Sequence, residues 1–199
     1  MRWSRFNKVI LITGTPGTGK TTVSRLLASK LNILHVDIGE LVANENLASG
    51  MDKERKSLVA DIPKVAKRVE EILRKSRGDI IVDGHYAADV VPKKLLSFAF
   101  VLRCDPDELK KRLERAGVTG RKNLENVAAE ILDVCLSDAV GAYGTNKVCE
   151  IDTSGKIPRR VVDEILAVVH GETEASVGNV DWLKKLEVEG RVEEFLGWM

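Results

Sequence analysis

Residues 8–21 read Lys-Val-Ile-Leu-Ile-Thr-Gly-Thr-Pro-Gly-Thr-Gly-Lys-Thr. The β-branched run 8–13 (KVILIT) predicts a buried strand, because a continuous apolar stretch is stopped by a Gly/Pro turn. Val23, Leu26, Leu27 and Leu31 then recur at helical spacing. Between strand and helix, Gly14 to Thr21 is a complete GxxxxGK[ST] match. Glycines let successive N–H groups point into one concavity that holds phosphate oxygens. A helix beginning near Gly19 adds its positive dipole end at the same place. Lys20 supplies a point charge for β- and γ-phosphates, and the Thr21 hydroxyl is a ligand for Mg²⁺. Motif and context agree, so the chain is expected to bind a nucleoside triphosphate.

The rest of the chain repeats the alternation. Residues 33–37 (ILHVD), 79–83 (DIIVD), 98–103 (FAFVLR) and 147–152 (KVCEID) read as four more buried strands. Helical stripes lie between them: Val65, Val69, Ile72 and Leu73; Leu109, Leu113 and Ala116; Leu124, Ala128, Ile131 and Cys135; and finally Val161, Val162, Ile165, Leu166 and Val169. Repeated βα units with buried strands imply an α/β fold, a parallel sheet covered by helices on both faces.

Composition narrows the class. The chain has 199 residues with 44% hydrophobic and 31% charged, enough for one domain with its own core. Lys+Arg 31 against Asp+Glu 30 leaves +1, which argues against a nucleic-acid-coating protein or sequence-specific nucleic acid binding. Cys104, Cys135 and Cys149 are odd in number and form no CxxC pair, predicting buried reduced thiols with no disulfide framework and no zinc site. The basic start MRWSRFNK precedes an apolar run too short for a signal-peptide core, and no stretch approaches a membrane span. The expectation is a soluble cytoplasmic protein with no membrane partner, nuclear being open for a eukaryote. After His170, GETEASVGN (171–179) reads as a linker. Beyond it, Trp182, Leu183, Leu186, Val192, Phe195 and Leu196 predict one terminal helix. From Glu172 onward seven acidic residues face three basic ones, a local −4.

The motif serves kinases, ATPases and GTPases alike, so the strand ends must discriminate. Asp83 closes the third strand after IIV, where an acid suits holding the Mg²⁺ shell. His85 follows two residues later, and strand spacing would put both side chains on one face. Asp37 ends the second strand as one wall of an acceptor cleft. Lys110, Lys111, Arg112, Arg115, Arg121 and Lys122 stand against Glu114, a local +5 that fits a basic lid or a solvated helix face. Asn126, Glu130 and Asp133 lie opposite their helix's apolar stripe, facing water or the cleft. No NKxD guanine signature stands in the expected place.

The stretches GTPGTGKTTVSRLLASKL (14–31), VDGHYAADVVP (82–92), VLRCDPDELKKRLERAG (101–117) and NLENVAAEILDV (123–134) resemble the small atypical adenylate kinases. These are of the isoenzyme-six type, found in archaea and in eukaryotic nuclei. The resemblance spans roughly residues 8–170. It implies a P-loop NTPase fold of the nucleoside monophosphate kinase kind. The strands 8–13, 33–37, 79–83, 98–103 and 147–152, numbered one to five along the chain, would stand in the order 2-3-1-4-5. The domain would cover 1–172, with an AMP-binding region at 37–60 and a short lid at 115–125, followed by the linker and helix of 173–199. Gly17, Gly19, Lys20, Thr21 and Thr22 would hold the ATP phosphates, and Lys156 would lie near the base. Asp83 and His85 would form the Walker B pair, with His85 implicated in ATP hydrolysis. Two departures stand out. The family usually reads RGY at the lid, whereas this chain has Ala116-Gly117-Val118 with Arg115 one place earlier. Either Arg115 takes the lid role or that chemistry is weakened. The DGFPR of conventional adenylate kinases is absent, His85 and Tyr86 following Asp83-Gly84. The implied activity is conversion of ATP and AMP to two ADP, with ATPase activity and a link to small ribosomal subunit maturation. Alternatives are an ATPase-driven assembly factor that binds a small-subunit ribosomal protein within a pre-ribosomal particle, or a kinase for another nucleoside monophosphate.

Overall fold

The computed structural model describes residues 8–52 and 57–199. The basic start of the chain, residues 1–7, and positions 53–56 of the 37–60 region lie outside the described residues. In chain order the elements are β1 (Val9–Thr13), α1 (Lys20–Leu31), β2 (Leu34–Asp37), α2 (Ile38–Asn44), β3 (Ala48–Asp52), β4 (Ser57–Ala60), α3 (Ile62–Lys75), β5 (Ile80–Asp83) and α4 (Ala87–Val90). Then come β6 (Phe98–Arg103), α5 (Pro106–Arg115), α6 (Arg121–Ile131), α7 (Val134–Tyr143), β7 (Val148–Asp152), α8 (Pro158–Val169), α9 (Trp182–Glu189) and α10 (Val192–Leu196).

Five strands form one parallel sheet in the order β2-β5-β1-β6-β7, which is the expected 2-3-1-4-5 order of the main strands. Every residue of β1 is buried. Alternation along it sends Val9 and Leu11 to one face and Ile10 and Ile12 to the other. The first face packs on α2, α3, α4 and α7, with Val65, Val69, Ala139 and Tyr143 contributing. The second packs on α1 and α8 through Val23, Leu27, Val162 and Ile165. This two-sided burial explains the apolar runs at the centre of the sheet, in β1, β5 and most of β6. β2, expected to be buried, is an edge strand with Leu34 exposed and carries the polar His35 and Asp37. The parallel order places all five carboxyl ends, and hence β1's loop and Asp83, on one edge.

Three features depart from the sequence reading. Residues 48–60 contain a separate antiparallel pair, β3–β4, that no periodicity announced. The stripe ending at Cys135 is not one helix: α6 stops at Ile131, Asp133 adopts φ 56, and α7 starts afresh at Val134. The terminal helix is two short ones, separated at Gly190, which takes the left-handed φ of 68 that suits glycine. Trp182, Leu186 and Phe195 pack with Leu109, Leu113, Val127 and Ile131 into a third apolar cluster beneath α5 and α6. All three cysteines are free, but Cys135 is only half-buried. Among the described residues no helix is long and apolar enough to cross a membrane.

Candidate active site

The loop between β1 and α1 owes its path to two tight approaches. Gly14 has φ 137, and a Cβ there would lie 2.3 Å from the Leu102 carbonyl oxygen. Gly17 has φ 96, and its Cβ would meet Leu109 Cδ1 at 2.8 Å. Neither place admits a side chain. The loop closes on itself through Thr15, whose carbonyl accepts from Lys20 Nζ at 3.0 Å and from the Thr18 hydroxyl at 2.9 Å. Burial holds the Lys20 ammonium below its usual pKa, against the pull of the nearby Cys135, Asp83, Glu130 and Asp37. An anion arriving in the loop would restore the favourable balance.

Below the loop, oxygens converge on Thr21. Its hydroxyl lies 3.3 Å from Asp83 Oδ1 and 3.4 Å from Asp37 Oδ2. The other oxygen of Asp37 fixes that side chain in place, capping α2 by accepting the Glu40 N–H at 3.0 Å. Asp83 is buried at the end of β5, and its Oδ2 lies 2.6 Å from His35 Nε2. A hydroxyl and two carboxylates form a hard-oxygen set that fits Mg²⁺, which takes one or two carboxylates and keeps water or phosphate for the rest. No group of three or more His, Cys, Asp or Glu that could hold a metal exists among the described residues. The Mg²⁺ fit therefore rests on this small set together with phosphate oxygens.

Two cavities flank the loop. The larger, about 660 Å³, is lined on the loop side by Thr15 and Pro16, and elsewhere by Val42, Leu58, His85, Tyr86, Asp89, Lys122, Asn126 and Cys135. Its size suits a small-molecule ligand. The smaller, about 200 Å³, lies among Thr18, Gly19, Thr22, Arg112, Thr153 and Lys156. Lys156 is held there by Glu164 at 2.8 Å.

The other expected residues sort by geometry. β5 ends at Asp83, so the two-residue strand spacing does not carry on to His85. Asp83 turns toward Thr21 and His35, while His85 stands exposed in the larger cavity against Tyr86, ring edge to face at 4.5 Å. Although open to the cavity, the imidazole is pushed down to about 4, first by the crowding of its walls and then by the Lys20 and Lys122 ammoniums. Arg115 is exposed on the last turn of α5 and lines neither cavity. Three residues earlier, Arg112 does: it donates to the Thr18 and Thr153 carbonyls at 3.4 and 3.0 Å and pairs with Glu108. Asn126 faces the larger cavity. Glu130 faces neither water nor cleft, being buried against Arg103, as Asp133 partly is. Sequence reasoning missed His35, although its place two before Asp37 on one strand was a usable signal. The reach of Glu130 to Thr15 had none.

Comparison with known proteins agrees with this geometry. The sequence model of the AAA domain matches residues 10–133. A protein of Methanocaldococcus jannaschii named "Putative adenylate kinase" is 42% identical over 176 residues, covering 88% of this chain and 93% of its own. Proteins of the same name from Natronomonas pharaonis and Pyrococcus furiosus are 40% and 36% identical, covering 89% and 90% of this chain and 99% and 93% of their own. Among solved structures, the shikimate kinase of Acinetobacter baumannii in complex with shikimate superposes with a TM-score of 0.62 at 16% identity, over 85% of this chain and 97% of that one. That likeness speaks to the fold alone. With the identity shared along most of its length and a complete phosphate-binding loop on a parallel sheet, the chain belongs to the archaeal adenylate kinase family of P-loop nucleotide kinases.

Proposed function

We propose that the protein transfers the γ-phosphoryl group of ATP to AMP, giving two ADP. The observation that carries this reading is the pair of cavities on either side of one phosphate-binding loop. Triphosphate would lie over the loop with its base toward Arg112, Thr153 and Lys156, and Gly17, Gly19, Thr21 and Thr22 would meet its phosphates. AMP would occupy the larger cavity, between residues of the 37–60 region and the 115–125 lid. A phosphate oxygen of AMP attacks the γ-phosphorus, the P–O bond to the β-phosphate breaks, and that oxygen leaves with the electron pair. No proton is required. Lys20 offsets the charge spread over the transferred group, which is the main work a phosphoryl transferase does. Mg²⁺, when bound, neutralises β- and γ-oxygens; Thr21 and Asp83 would hold it, with Asp37 in support.

The test is ADP formation from ATP with and without AMP. AMP should raise ATP consumption and appear as ADP, and an analogue joining two adenosines should block both. ATP consumption indifferent to AMP would overturn the acceptor assignment, and faster turnover with another nucleoside monophosphate would replace it.

ATP hydrolysis is the second reading, favoured by one observation. The His85 imidazole lines the larger cavity and is open to it, where it can orient an attacking water. Its lowered pKa makes it a weak base, so orientation rather than proton removal is its part. Coupled to a basic small-subunit ribosomal protein, that activity would make the protein an assembly ATPase. Partner capture that weakens with salt would support it, and hydrolysis absent in the wild type would remove it.

A further inference from the structure

A buried polar centre lies behind the phosphate-binding loop and, among the described residues, reaches the larger cavity only through Thr15. Glu130, near the end of α6, is buried, yet its carboxylate meets four donors. Oε2 accepts the Thr15 hydroxyl at 2.5 Å. Oε1 accepts Arg103 Nε at 2.8 Å, the Cys104 N–H at 3.0 Å and the indole N–H of Trp182 at 3.1 Å. Arg103 in turn pairs with Glu150 and Asp133. The second oxygen of Glu150 accepts the N–H groups of Asn179 and Val180 at 2.9 and 3.3 Å. Glu130 thus joins the phosphate-binding loop to Trp182, the first residue of α9, while Glu150, through Arg103, holds the segment that leads into it.

Trp182 is not needed to satisfy the Glu130 carboxylate, because three other donors already do. Its indole shares Oε1 with Arg103 and Cys104, so a shift of Glu130 that suits one donor lengthens its bonds to the others. Thr15 is the loop residue with most to report. Its hydroxyl holds Glu130 while its carbonyl holds the Lys20 ammonium. An ammonium drawn away by phosphate frees that carbonyl and lets the Thr15 side chain readjust against Glu130.

The geometry points to Glu130 as a positioning residue of the phosphate-binding loop, and to the segment 176–189 as an element whose seating, through Trp182, is energetically linked to triphosphate binding. This deepens the reading given above, since it presupposes that the loop binds ATP, but it does not depend on AMP.

Glu130→Gln would leave buried Arg103 short of a carboxylate and risks unfolding, so the two ends of the relay are the better probes. ATP affinity of the full chain is measured by calorimetry without AMP for Thr15→Val, Thr15→Ser, Trp182→Phe and Thr15→Val/Trp182→Phe, each checked by thermal unfolding. Thr15→Val should weaken ATP about tenfold, as loss of a charge-assisted hydrogen bond predicts, with Thr15→Ser recovering most of it. Trp182→Phe should weaken it about threefold, and the double variant should bind about as Thr15→Val does, because the linkage runs through Thr15. In a background with Trp3 and Trp198 replaced by Phe, ATP should change Trp182 emission, and Thr15→Val should abolish the change. A merely structural role would lower the unfolding temperature of Trp182→Phe and leave ATP affinity untouched. That outcome, strict additivity in the double variant, or Trp182 emission unmoved at ATP saturation would overturn the inference. If Thr15→Val does not fold, Trp182→Phe affinity and Trp182 emission decide alone. Wild-type protein that fails to bind ATP would sink this inference and the proposed function together, whereas ATP binding without AMP phosphorylation would sink only the latter.

Discussion

At Lys20 the molecule keeps an ammonium nearly out of water, hydrogen-bonded to the backbone carbonyl of Thr15. Such a group is ready for phosphate and contributes little to the apolar core. Lys20→Ala should therefore leave the fold intact and lower nucleotide turnover by at least about a hundredfold, the usual loss of one preorganised charge contact. Near-normal turnover by the folded variant would contradict the assignment. His85 behaves differently. Transfer to AMP needs no water, so His85→Ala should depress ATP hydrolysis more than ADP formation from AMP, and equal losses measured on one preparation would defeat its special role. The same side chain leaves a pH signature. Its folded pKa of about 4 lies below the ordinary 6.5, so the unfolded chain binds the proton first as pH falls. Stability contributed by the neutral ring is complete above about 6.5 and drains away as pH drops toward 4. Urea midpoints across that window should fall less steeply in His85→Asn than in the wild type.

Among elements, the β1–α1 loop was legible in the sequence because its instructions are contiguous: strand, glycines, lysine and helix occur in one short window. Asp83 was legible because it terminates an unmistakable apolar strand. The Glu130 link was hidden because its partners Thr15, Arg103 and Trp182 come from three other parts of the chain, and helical spacing says which side a residue faces but not what waits there. The β3–β4 pair escaped for another reason: Met51, Leu58 and Val59 are exposed, so no buried face imposed a period of two. The α6–α7 break was invisible because the apolar stripe continues across it. In the β1–α1 loop, Gly14→Ala must push against the Leu102 carbonyl from a φ that alanine avoids. It should abolish measurable ATP binding by calorimetry while leaving the far-UV helical signal largely in place. Tight binding by that variant would show that the loop tolerates a different path.

For the whole molecule, the third apolar cluster ties the 176–199 segment to α5 and α6, so the segment is an integral part of the domain surface. Leu186 is fully buried there. Leu186→Ala should cost about 2–5 kcal/mol of unfolding free energy, the range for emptying a packed leucine site. A two-state urea titration would register this as a lower midpoint, and an unchanged midpoint would mean that the segment is loosely held.

β1 sits at the centre of the sheet, paired on one side with Ile80–Asp83 and on the other with Phe98–Val101. We infer that its phosphate-gripping turn takes its final shape only once both long-range pairings have formed. Nucleotide has nothing to hold before then. ATP should consequently act as a brake on unfolding while scarcely hastening refolding, the behaviour of a latch fitted after the door is hung.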